Sequence, residues 1–557
     1  MSKVGTIEKI KYVLRAIRSN KNKKKLLKNT LYVLKNQGIR GLKEKIVSSG
    51  KPSQERVDIY QRQQQENRSI EQSDKSVLFI VYGERIDQAN SATIMTIEKQ
   101  KYEKDQIIVC NDKSDTILEQ ITQSVNDYVF FIKEGDYVSP DMRKEYANAF
   151  NSEKELIYCD ELIYDPESGE VLRYYIKPDF SIYDVFNNDM LQKGIMIKRD
   201  SLIGLNTSCD DLGSQVYDWI LSCTVRLGDA FHIDRILLLR KGFIETNELS
   251  ARRRVLAKYV NKLIPAGVIA DEGELVVTPK IKYSEVSVVV MADDVDATLE
   301  CIDSIENFTN YPSYNLYVVA EPAMSASLKL PENIRVITCS AEDSYAHKCN
   351  LAVKEVVGDA VVVLMDSMRV NRPDWLTDLL MCLSFPDVAA ASPKVIRTDN
   401  TIRYAGMIAG GFGFAAIPFN GEKNDRIDKS NYPAFKNRSV SVLSASCFAV
   451  DKKTYLETGG MDEGEFDYKF ANAQLSFSLM KNGYQCVLCA CSTLISYSNE
   501  WYDSWYDKEH SKAYVNLLKK YGEYLSEDKY FTEEMKYQYL RGVPIGFRIY
   551  KSKNCNR

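Results

Sequence analysis

The stretch Val361–Leu376, VVVLMDSMRVNRPDWL, determines the fold that the sequence predicts. A run of aliphatic residues leads into one acidic residue, Asp366, and a Pro-Asp-Trp-Leu segment follows. β-Branched residues favour buried strands, and proline favours the first position of a helix. The pattern therefore predicts a strand, an acidic loop at its carboxyl end and a helix, which is the repeating unit of a sheet covered by helices.

The same pattern occurs in the first half of the chain. Residues 125–142, VNDYVFFIKEGDYVSPDM, align with residues 357–375, VGDAVVVLMDSMRVNRPDW, across a gap of one residue. Each segment is preceded by strand-like runs that alternate with helix-like ones, an order typical of α/β proteins. We interpret this as an internal duplication that gives two similar α/β domains.

The domain boundaries follow from this duplication and from changes in composition. At 557 residues the chain is too long for one hydrophobic core. In chain order we predict a basic amphipathic helical segment at 1–50, a polar linker at 51–75, a first domain at 76–264, a linker at 265–282, a second domain at 283–525 and a basic tail at 526–557.

The charge of the chain is unevenly distributed. Residues 1–51 hold fifteen Lys and Arg against two Glu, whereas the remainder is acidic, so the sequence does not indicate a nucleic-acid partner. The basic segment fits amphipathic helices that pack on the next domain or contact an anionic membrane face. With no apolar run of membrane-spanning length and no secretory signal, we expect a cytoplasmic protein, with peripheral contact at the inner membrane face as the alternative.

The second half resembles bacterial family 2 glycosyltransferases of the GT-A fold. The segments that carry the resemblance, in family order, are SIENFTNYP (304–312), CNLAVKEVVGD (349–359), RPDWL (372–376), DNTIRYAGMIAG (399–410), SASCFAVDKKTYLETGGMDE (444–463) and LMKNGYQCVL (479–488). The first half resembles the same family through CNDKSD (110–115), IYCDELIYDPESGEVLRYYIKPDFS (157–181) and GSQVYDW (213–219). The resemblance implies tandem GT-A-like domains with mostly parallel, Rossmann-like sheets, as in cell-surface polysaccharide glycosyltransferases.

The resemblance also implies a chemistry. Such enzymes move a sugar from a nucleotide-sugar donor to a hydroxyl, here of a glycan or lipid-linked glycan acceptor. The leaving nucleoside diphosphate is strongly anionic, so an active domain would need Mn²⁺ or Mg²⁺ held by carboxylates. An acidic side chain would remove the acceptor proton. In an open α/β sheet these groups belong at the carboxyl ends of parallel strands.

In the first domain the resemblance assigns most of these roles to residues that can perform them. The candidates are Asp112 and Ser114 for the nucleotide, Asp136 and Glu134 for the metal, Asp218 as the catalytic base, and Asp160, Glu161, Lys177 and Asp179 on the acceptor side. Two features depart from the family. Val216 occupies one base position, and the stretch between Asp115 and Asp136 is too short for the usual extra strand beside the nucleotide.

In the second domain the corresponding positions have lost their acidic groups. Glu321 stands beside Ala320 at the nucleotide position, Ser367 follows Asp366 at the metal position, and Asn472 and Gln474 replace the carboxylates of the base. Two hypotheses follow for the whole chain. It is a metal-dependent, inverting glycosyltransferase whose first domain is catalytic, or a non-catalytic relative that binds glycan or scaffolds an active glycosyltransferase.

Overall fold

The computed structural model of the protein describes most of the chain between residues 59 and 539. The described ranges are 59–66, 73–113, 116–188, 190–191, 193–206, 209–242, 246–263, 268–269, 277–409, 415–425, 432–466, 468–498 and 510–539. The predicted basic segment 1–50, the tail beyond residue 539 and parts of both predicted linkers lie outside these ranges. Across the described ranges, no helix combines the length and the hydropathy needed to cross a membrane.

The first α/β domain follows a short separate helix, α1 (Ile59–Gln65), and contains an eight-stranded sheet. Its elements are β1 (Val77–Gly83), α2 (Ala92–Glu98), β2 (Gln106–Asn111), α3 (Ile117–Gln123), β3 (Tyr128–Lys133), β4 (Tyr137–Val138), α4 (Met142–Ala149), β5 (Leu156–Tyr164), β6 (Val171–Tyr175), α5 (Ile182–Asn188), β7 (Ile195–Lys198), α6 (Leu212–Leu227) and β8 (Phe231–Lys241). Helix α7 (Thr246–Leu263) and the hairpin strands β9 (Val268–Ile269) and β10 (Val277–Thr278) follow.

The second α/β domain contains a ten-stranded sheet. Its elements are β11 (Val286–Met291), α8 (Val295–Phe308), β12 (Asn315–Ala320), α9 (Pro322–Ser327), β13 (Arg335–Thr338), α10 (Tyr345–Glu355), β14 (Ala360–Met365), β15 (Met368–Arg369), α11 (Trp375–Leu383), β16 (Val388–Arg397), β17 (Ile402–Tyr404), β18 (Ile408–Ala409), β19 (Ala415–Ala416), β20 (Arg438–Ser439), β21 (Cys447–Asp451), α12 (Lys452–Glu457), α13 (Tyr468–Lys481), β22 (Gln485–Ser496), α14 (His510–Ser526) and α15 (Glu533–Tyr539).

The two sheets share one strand order, which is what the internal duplication predicts. The first runs β2-β1-β3-β7-β5-β8-β4, and the second runs β12-β11-β14-β21-β16-β22-β15, with β13 added beside β12. Corresponding pairs also agree in direction: β1 is parallel to β2 and β3, as β11 is to β12 and β14. The α/β class and the tandem domains are confirmed, and both sheets are mixed because antiparallel strands follow the parallel ones.

The second sheet has one edge strand, β13, that has no counterpart beside β2 among the described residues of the first sheet. In the described part of the first domain, β2 is an edge strand, whereas its counterpart β12 is covered by β13. This agrees with the short stretch after Asp115 in the sequence. The carboxyl ends of β1, β2 and β3 meet at one edge of the sheet, because Gly83 pairs with Asn111 and Tyr82 with Lys133.

The two domains meet along a set of buried polar contacts on α5. The Oγ atom of Ser181 lies 2.9 Å from Oγ of Ser439 and donates to Oε1 of Gln485 at 2.8 Å. The carboxylate of Asp184 accepts hydrogen bonds from the backbone N–H of Ser439, at 3.2 and 3.3 Å. Burial raises the pKa of Asp184, and the contacts from Ser439 oppose that rise. Buried polar groups need such partners, so each domain completes the other here.

Candidate functional site

A cleft of about 540 Å³ opens where the parallel strands of the first domain end. Its lining residues come from the carboxyl ends of β1, β2 and β3, from the segment before β7 and from the start of α6; they are Tyr82, Glu84, Arg85, Asn111, Asp112, Lys113, Lys133, Lys193, Asp211 and Gly213. Clefts of several hundred cubic ångströms accommodate small-molecule ligands, and in open α/β sheets they form at this edge. The position and size of the cleft make it the candidate site of the first domain.

The predicted nucleotide residue Asp112 lines this cleft. It follows β2 directly, its backbone N–H donates to the carbonyl of Gly83 at 3.2 Å, and its own carbonyl accepts from the N–H of Leu212 at 2.7 Å. These bonds tie Asp112 to the end of β1 and to the start of α6. Its half-buried side chain is therefore held at the cleft by backbone contacts on two sides. The second nucleotide candidate, Ser114, lies outside the described residues.

The cleft carries a set of cations that the sequence motifs did not indicate. Arg85 follows β1, Lys133 ends β3, Lys113 follows Asp112, and Lys193 precedes β7. Lys133 ends a strongly apolar strand, so the sequence alone could have placed it at the carboxyl end of that strand. Lys193 has no comparable signal, because its place at the cleft depends on the path of the chain after α5.

Three carboxylates, of Glu84, Asp112 and Asp211, also line the cleft. That of Asp211 caps α6 by accepting from the N–H of Ser214 at 2.8 Å. The cleft therefore combines four cations with two acidic side chains that do not cap a helix. This arrangement can pair with anionic groups through the cations and accept hydrogen bonds from hydroxyl or amide groups through the carboxylates.

The predicted metal ligand Asp136 is buried behind Lys193. It is 4% exposed, its Oδ1 accepts from the backbone N–H of Lys241 at 3.0 Å, and its Oδ2 lies 3.9 Å from Nζ of Lys193. Burial raises the pKa of Asp136, while Lys193 and the bond from Lys241 oppose that rise. Gly135 before it has a φ of +90°, a left-handed backbone conformation that favours glycine.

The second predicted metal ligand, Glu134, is engaged elsewhere. Its Oε2 accepts from the hydroxyl of Ser91, the N-terminal cap of α2, at 2.7 Å. Over the described ranges, no three His, Cys, Asp or Glu side chains form a group that could hold a metal ion. Hard divalent cations require several oxygen ligands. Oδ1 of Asp136 and Oε2 of Glu134 each accept a hydrogen bond, and Oδ2 of Asp136 faces the ammonium group of Lys193. These residues therefore do not fit a Mn²⁺ or Mg²⁺ site.

The predicted base Asp218 lies on α6 and is absent from the lining of the cleft. Its carboxylate accepts from Nζ of Lys258 at 2.9 and 3.0 Å and from the hydroxyl of Tyr259, both on α7. Asp218 is 1% exposed. The structure therefore places this carboxylate at the contact between two helices.

The predicted acceptor-side residues form part of a buried network. Oδ1 of Asp160 accepts from the backbone N–H of Lys177 at 2.8 Å and lies 3.0 Å from Nε2 of His232. Nδ1 of His232 lies 3.2 Å from Oδ1 of Asp179, and its ring stacks on Tyr158 at 4.7 Å. Burial alone would lower the pKa of His232, but the two carboxylates raise it to about 9. His232, which sequence motifs did not single out, thus joins two predicted residues.

Glu161 and Lys177 form the second half of this network. Nζ of Lys177 lies 2.7 Å from Oε1 of Glu161, and Nε of Arg240 lies 2.9 Å from Oε2. The side chains of Glu161 and Lys177 are both 0% exposed. Burial would raise the pKa of Glu161, but Arg240 and Lys177 lower it. Asp160, Glu161 and Lys177 are therefore enclosed, whereas the side chain of Asp179 is 48% exposed.

In the second domain Asp366 binds backbone groups. Its Oδ2 accepts from the N–H groups of Asp293 and Asp294, at 2.7 and 2.8 Å, and from the hydroxyl of Thr298 at 3.3 Å. Asp294 caps α8, so Asp366 holds the loop that leads into that helix. A carboxylate with three donors is used as a structural acceptor.

The other second-domain positions are also built into the fold. The side-chain amide of Asn472 donates to the carbonyl of Leu443, and Oε1 of Gln474 accepts from the N–H of Asp462 at 2.8 Å. The carbonyl of Ser367 accepts from the N–H of Tyr497 at 2.9 Å. Glu321 precedes α9 without a side-chain capping bond. A carboxylate could not donate the bond that Asn472 makes, whereas it could accept the bond that Gln474 accepts.

Two curated proteins are similar to this chain in sequence. No family model matches the chain. The chain is 26% identical over 404 residues to the O-antigen biosynthesis protein RfbC of Myxococcus xanthus, which covers 67% of this chain and 31% of that protein. It is 22% identical over 303 residues to the uncharacterized protein y4gI of Sinorhizobium fredii, and this alignment covers 49% of this chain and 33% of that protein. The chain spans about a third of the length of these curated relatives.

Two solved structures align with parts of the chain at low similarity. GalNAc-T7 with UDP, GalNAc and Mn²⁺ aligns with a TM-score of 0.35 and 15% identity over 45% of this chain and 50% of that chain. The mannosyltransferase PcManGT of Pyrobaculum calidifontis with GDP-Man and Mn²⁺ aligns with a TM-score of 0.30 and 14% identity, over 42% of this chain and 64% of that chain. The chain is a tandem α/β protein, and two thirds of its length is similar to a protein of O-antigen biosynthesis.

Proposed function

We propose that the chain is a glycosyltransferase whose first domain moves a sugar from a nucleotide-sugar donor to a hydroxyl of a growing cell-surface glycan. The observation that carries the proposal is the cleft at the carboxyl ends of β1, β2 and β3, which presents Asp112 together with four cations. Similarity to an O-antigen biosynthesis protein supports a glycan or lipid-linked glycan as the acceptor. The second domain would then act as a docking element for the first.

The cleft residues divide into two roles in this proposal. The carboxylate of Asp112 accepts hydrogen bonds from the base or ribose of the donor, since these parts carry N–H and O–H groups. Arg85, Lys113, Lys133 and Lys193 pair with the diphosphate and stabilise the charge that grows as the sugar leaves.

Transfer to a hydroxyl also needs a group that takes the proton of the acceptor. Asp218 stays our prediction for this role, and it would have to leave Lys258 to perform it. Inversion at the anomeric carbon is the predicted stereochemistry. Proton NMR of the freshly formed product, before its anomers equilibrate, measures that outcome directly. A product with the anomeric configuration of the donor would contradict it.

The test of the proposal is turnover of nucleotide sugars by the purified full chain, with UDP-, GDP- and dTDP-linked donors and a lipid-linked glycan acceptor, with and without Mn²⁺ or Mg²⁺. We expect Asp112→Ala to abolish turnover because it removes the acceptor for the nucleotide. Asp200→Asn, at an exposed carboxylate outside the cleft, is the matched control and should keep wild-type activity. Equal activity of wild type and Asp112→Ala would contradict the proposal.

A non-catalytic role is the second candidate, and the engaged carboxylates favour it. Asp136 and Asp218 are paired with lysines, and Asp366 is bound by backbone donors. A chain of this kind would bind nucleotide or glycan, or scaffold an active glycosyltransferase. Nucleotide binding by calorimetry without turnover of any donor would select this candidate.

Peripheral membrane contact through residues 1–51 belongs to the same proposal, because a lipid-linked acceptor lies at a membrane. Co-sedimentation with anionic liposomes, for the full chain and for a chain without residues 1–51, tests it. Binding of the full chain should weaken with added salt, since screening reduces the attraction. Equal sedimentation of both chains would contradict it.

A further inference from the structure

The contacts around Asp136 conflict with a metal site. A divalent cation would neutralise the diphosphate of a nucleotide sugar and would need free carboxylate oxygens. In this structure, Oδ1 of Asp136 accepts from the backbone of Lys241 and Oδ2 faces Nζ of Lys193 at 3.9 Å. Glu134, two residues earlier, accepts from Ser91. A metal ion at Asp136 would meet the ammonium group of Lys193, which would repel it.

Lys193 stands between Asp136 and the cleft. It lines the cleft, whereas Asp136 is buried and does not. Its side chain is 15% exposed, and its charge is balanced by the carboxylate of Asp136. Lys133, which ends β3 at the same edge, also lines the cleft and forms no ion pair with any residue that the structure describes. Two lysines therefore line the cleft beside the residues that the sequence predicted as metal ligands.

We propose that the first-domain cleft binds a nucleoside diphosphate through lysine ammonium groups, with Lys193 in place of the divalent cation, so that binding needs no metal. The inference rests on the proposed function, since it names the groups that hold the donor at the same site. Lysine is a compact point charge that binds phosphate well, and Asp136 keeps Lys193 in position. The specific role of Asp136 is therefore to position Lys193, rather than to bind a cation.

The test is calorimetric titration of the full chain with UDP, GDP and dTDP, in excess EDTA and again with Mn²⁺. We expect at least one of these nucleotides to bind with the same affinity under both conditions. The corresponding monophosphate should bind more weakly, because it presents fewer charges to the lysines. Added salt should weaken the diphosphate complex.

Variants of single lysines test whether Lys133 and Lys193 hold the diphosphate. Lys133→Gln should weaken binding about tenfold in EDTA, since it removes one hydrogen bond between charged groups. Lys101→Gln, which removes an exposed lysine paired with Glu98 outside the cleft, is the matched control and should bind as wild type. Lys193→Gln should also weaken binding in EDTA, and Mn²⁺ should restore part of it because Asp136 is then open to a cation. Thermal unfolding verifies that each variant is folded.

The outcomes distinguish this inference from the proposed function. Binding only in the presence of Mn²⁺ would overturn the inference and leave the proposed function standing. Binding without metal that Lys133→Gln and Lys193→Gln leave unchanged would also overturn it, since other groups would then hold the diphosphate. Absence of binding under both conditions would overturn the inference and the proposed function together.

Discussion

Lys258 donates to both carboxylate oxygens of Asp218, with Nζ 2.9 Å from Oδ1 and 3.0 Å from Oδ2. The pair joins α6 to α7 and leaves the carboxylate without a free oxygen. We expect Lys258→Met to lower the free energy of unfolding by about 1 kcal/mol, because Lys258 is 41% exposed and water screens the pair. Denaturant unfolding measures this, with Arg254→Met on the same helix as control. A change equal to that of the control would show that the pair contributes nothing.

Breaking the fully buried pair of Lys177 and Glu161 should destabilise the protein more than breaking the pair of Lys258 and Asp218. Lys177→Met removes one of the two ion-pair partners of the buried Glu161 carboxylate and leaves Arg240, and breaking a buried pair from one side costs about 3–5 kcal/mol. We expect a large fall in the thermal unfolding midpoint or loss of folded protein. Glu98→Gln, which removes an exposed partner of Lys101, should leave the midpoint unchanged. A small effect of Lys177→Met would mean that water reaches the network.

His232 predicts a pH dependence of stability. Its pKa is raised from 6.5 to about 9 in the folded state, so the folded protein binds the proton more tightly than the unfolded chain. This tighter binding of the proton stabilises the folded state by about 3 kcal/mol. The stabilisation is fully present below about pH 6.5 and is lost as the pH rises to about 9. Thermal unfolding at about pH 6 and about pH 9 measures it.

The matched pair of variants for this prediction is His232→Gln and His347→Gln. The first should remove most of the loss of stability between the two pH values. The second changes an exposed histidine paired with Glu463 and should leave most of that loss in place. If both variants keep the wild-type dependence, Asp160 and Asp179 do not hold a proton on His232.

Asp366 should matter for the stability of the second domain and not for nucleotide binding by the first. Asp366→Ala removes the acceptor for two backbone N–H groups and one hydroxyl, which should cost about 1–3 kcal/mol. Asp296→Ala, at an exposed position in the first turn of α8, is the control. Unfolding measures stability and calorimetry with UDP measures binding. A loss of nucleotide affinity in folded Asp366→Ala would place a site in the second domain.

The sequence predicted the fold well because the fold depends on local patterns. The apolar runs that end at Lys133 and Met365 form inner strands of the two sheets. The two aligned segments occupy the same place in each strand order. The sequence also predicts a loss of chemistry in the second domain, since Ser367, Asn472 and Gln474 cannot carry the charge of a carboxylate. The structure adds what these side chains do instead.

The site was only partly predictable, because partners that are distant in sequence decide what a side chain can do. Asp112 lines the cleft as the resemblance implied, and its place depends on the end of its own strand. Asp136 and Asp218 were assigned roles that need open oxygens, but Lys193 and Lys258 lie 57 and 40 residues further along the chain. Neither lysine belongs to a motif, so no local pattern indicated the pairing.

The contacts of α5 give the second domain a structural role in the first. Asp184 is 1% exposed and receives hydrogen bonds from the backbone of Ser439, which belongs to the other domain. If the second half of the gene were lost, a buried carboxylate of the first half would face water or remain without these donors. The second domain therefore contributes to the folded state of the first, whatever chemistry it performs itself.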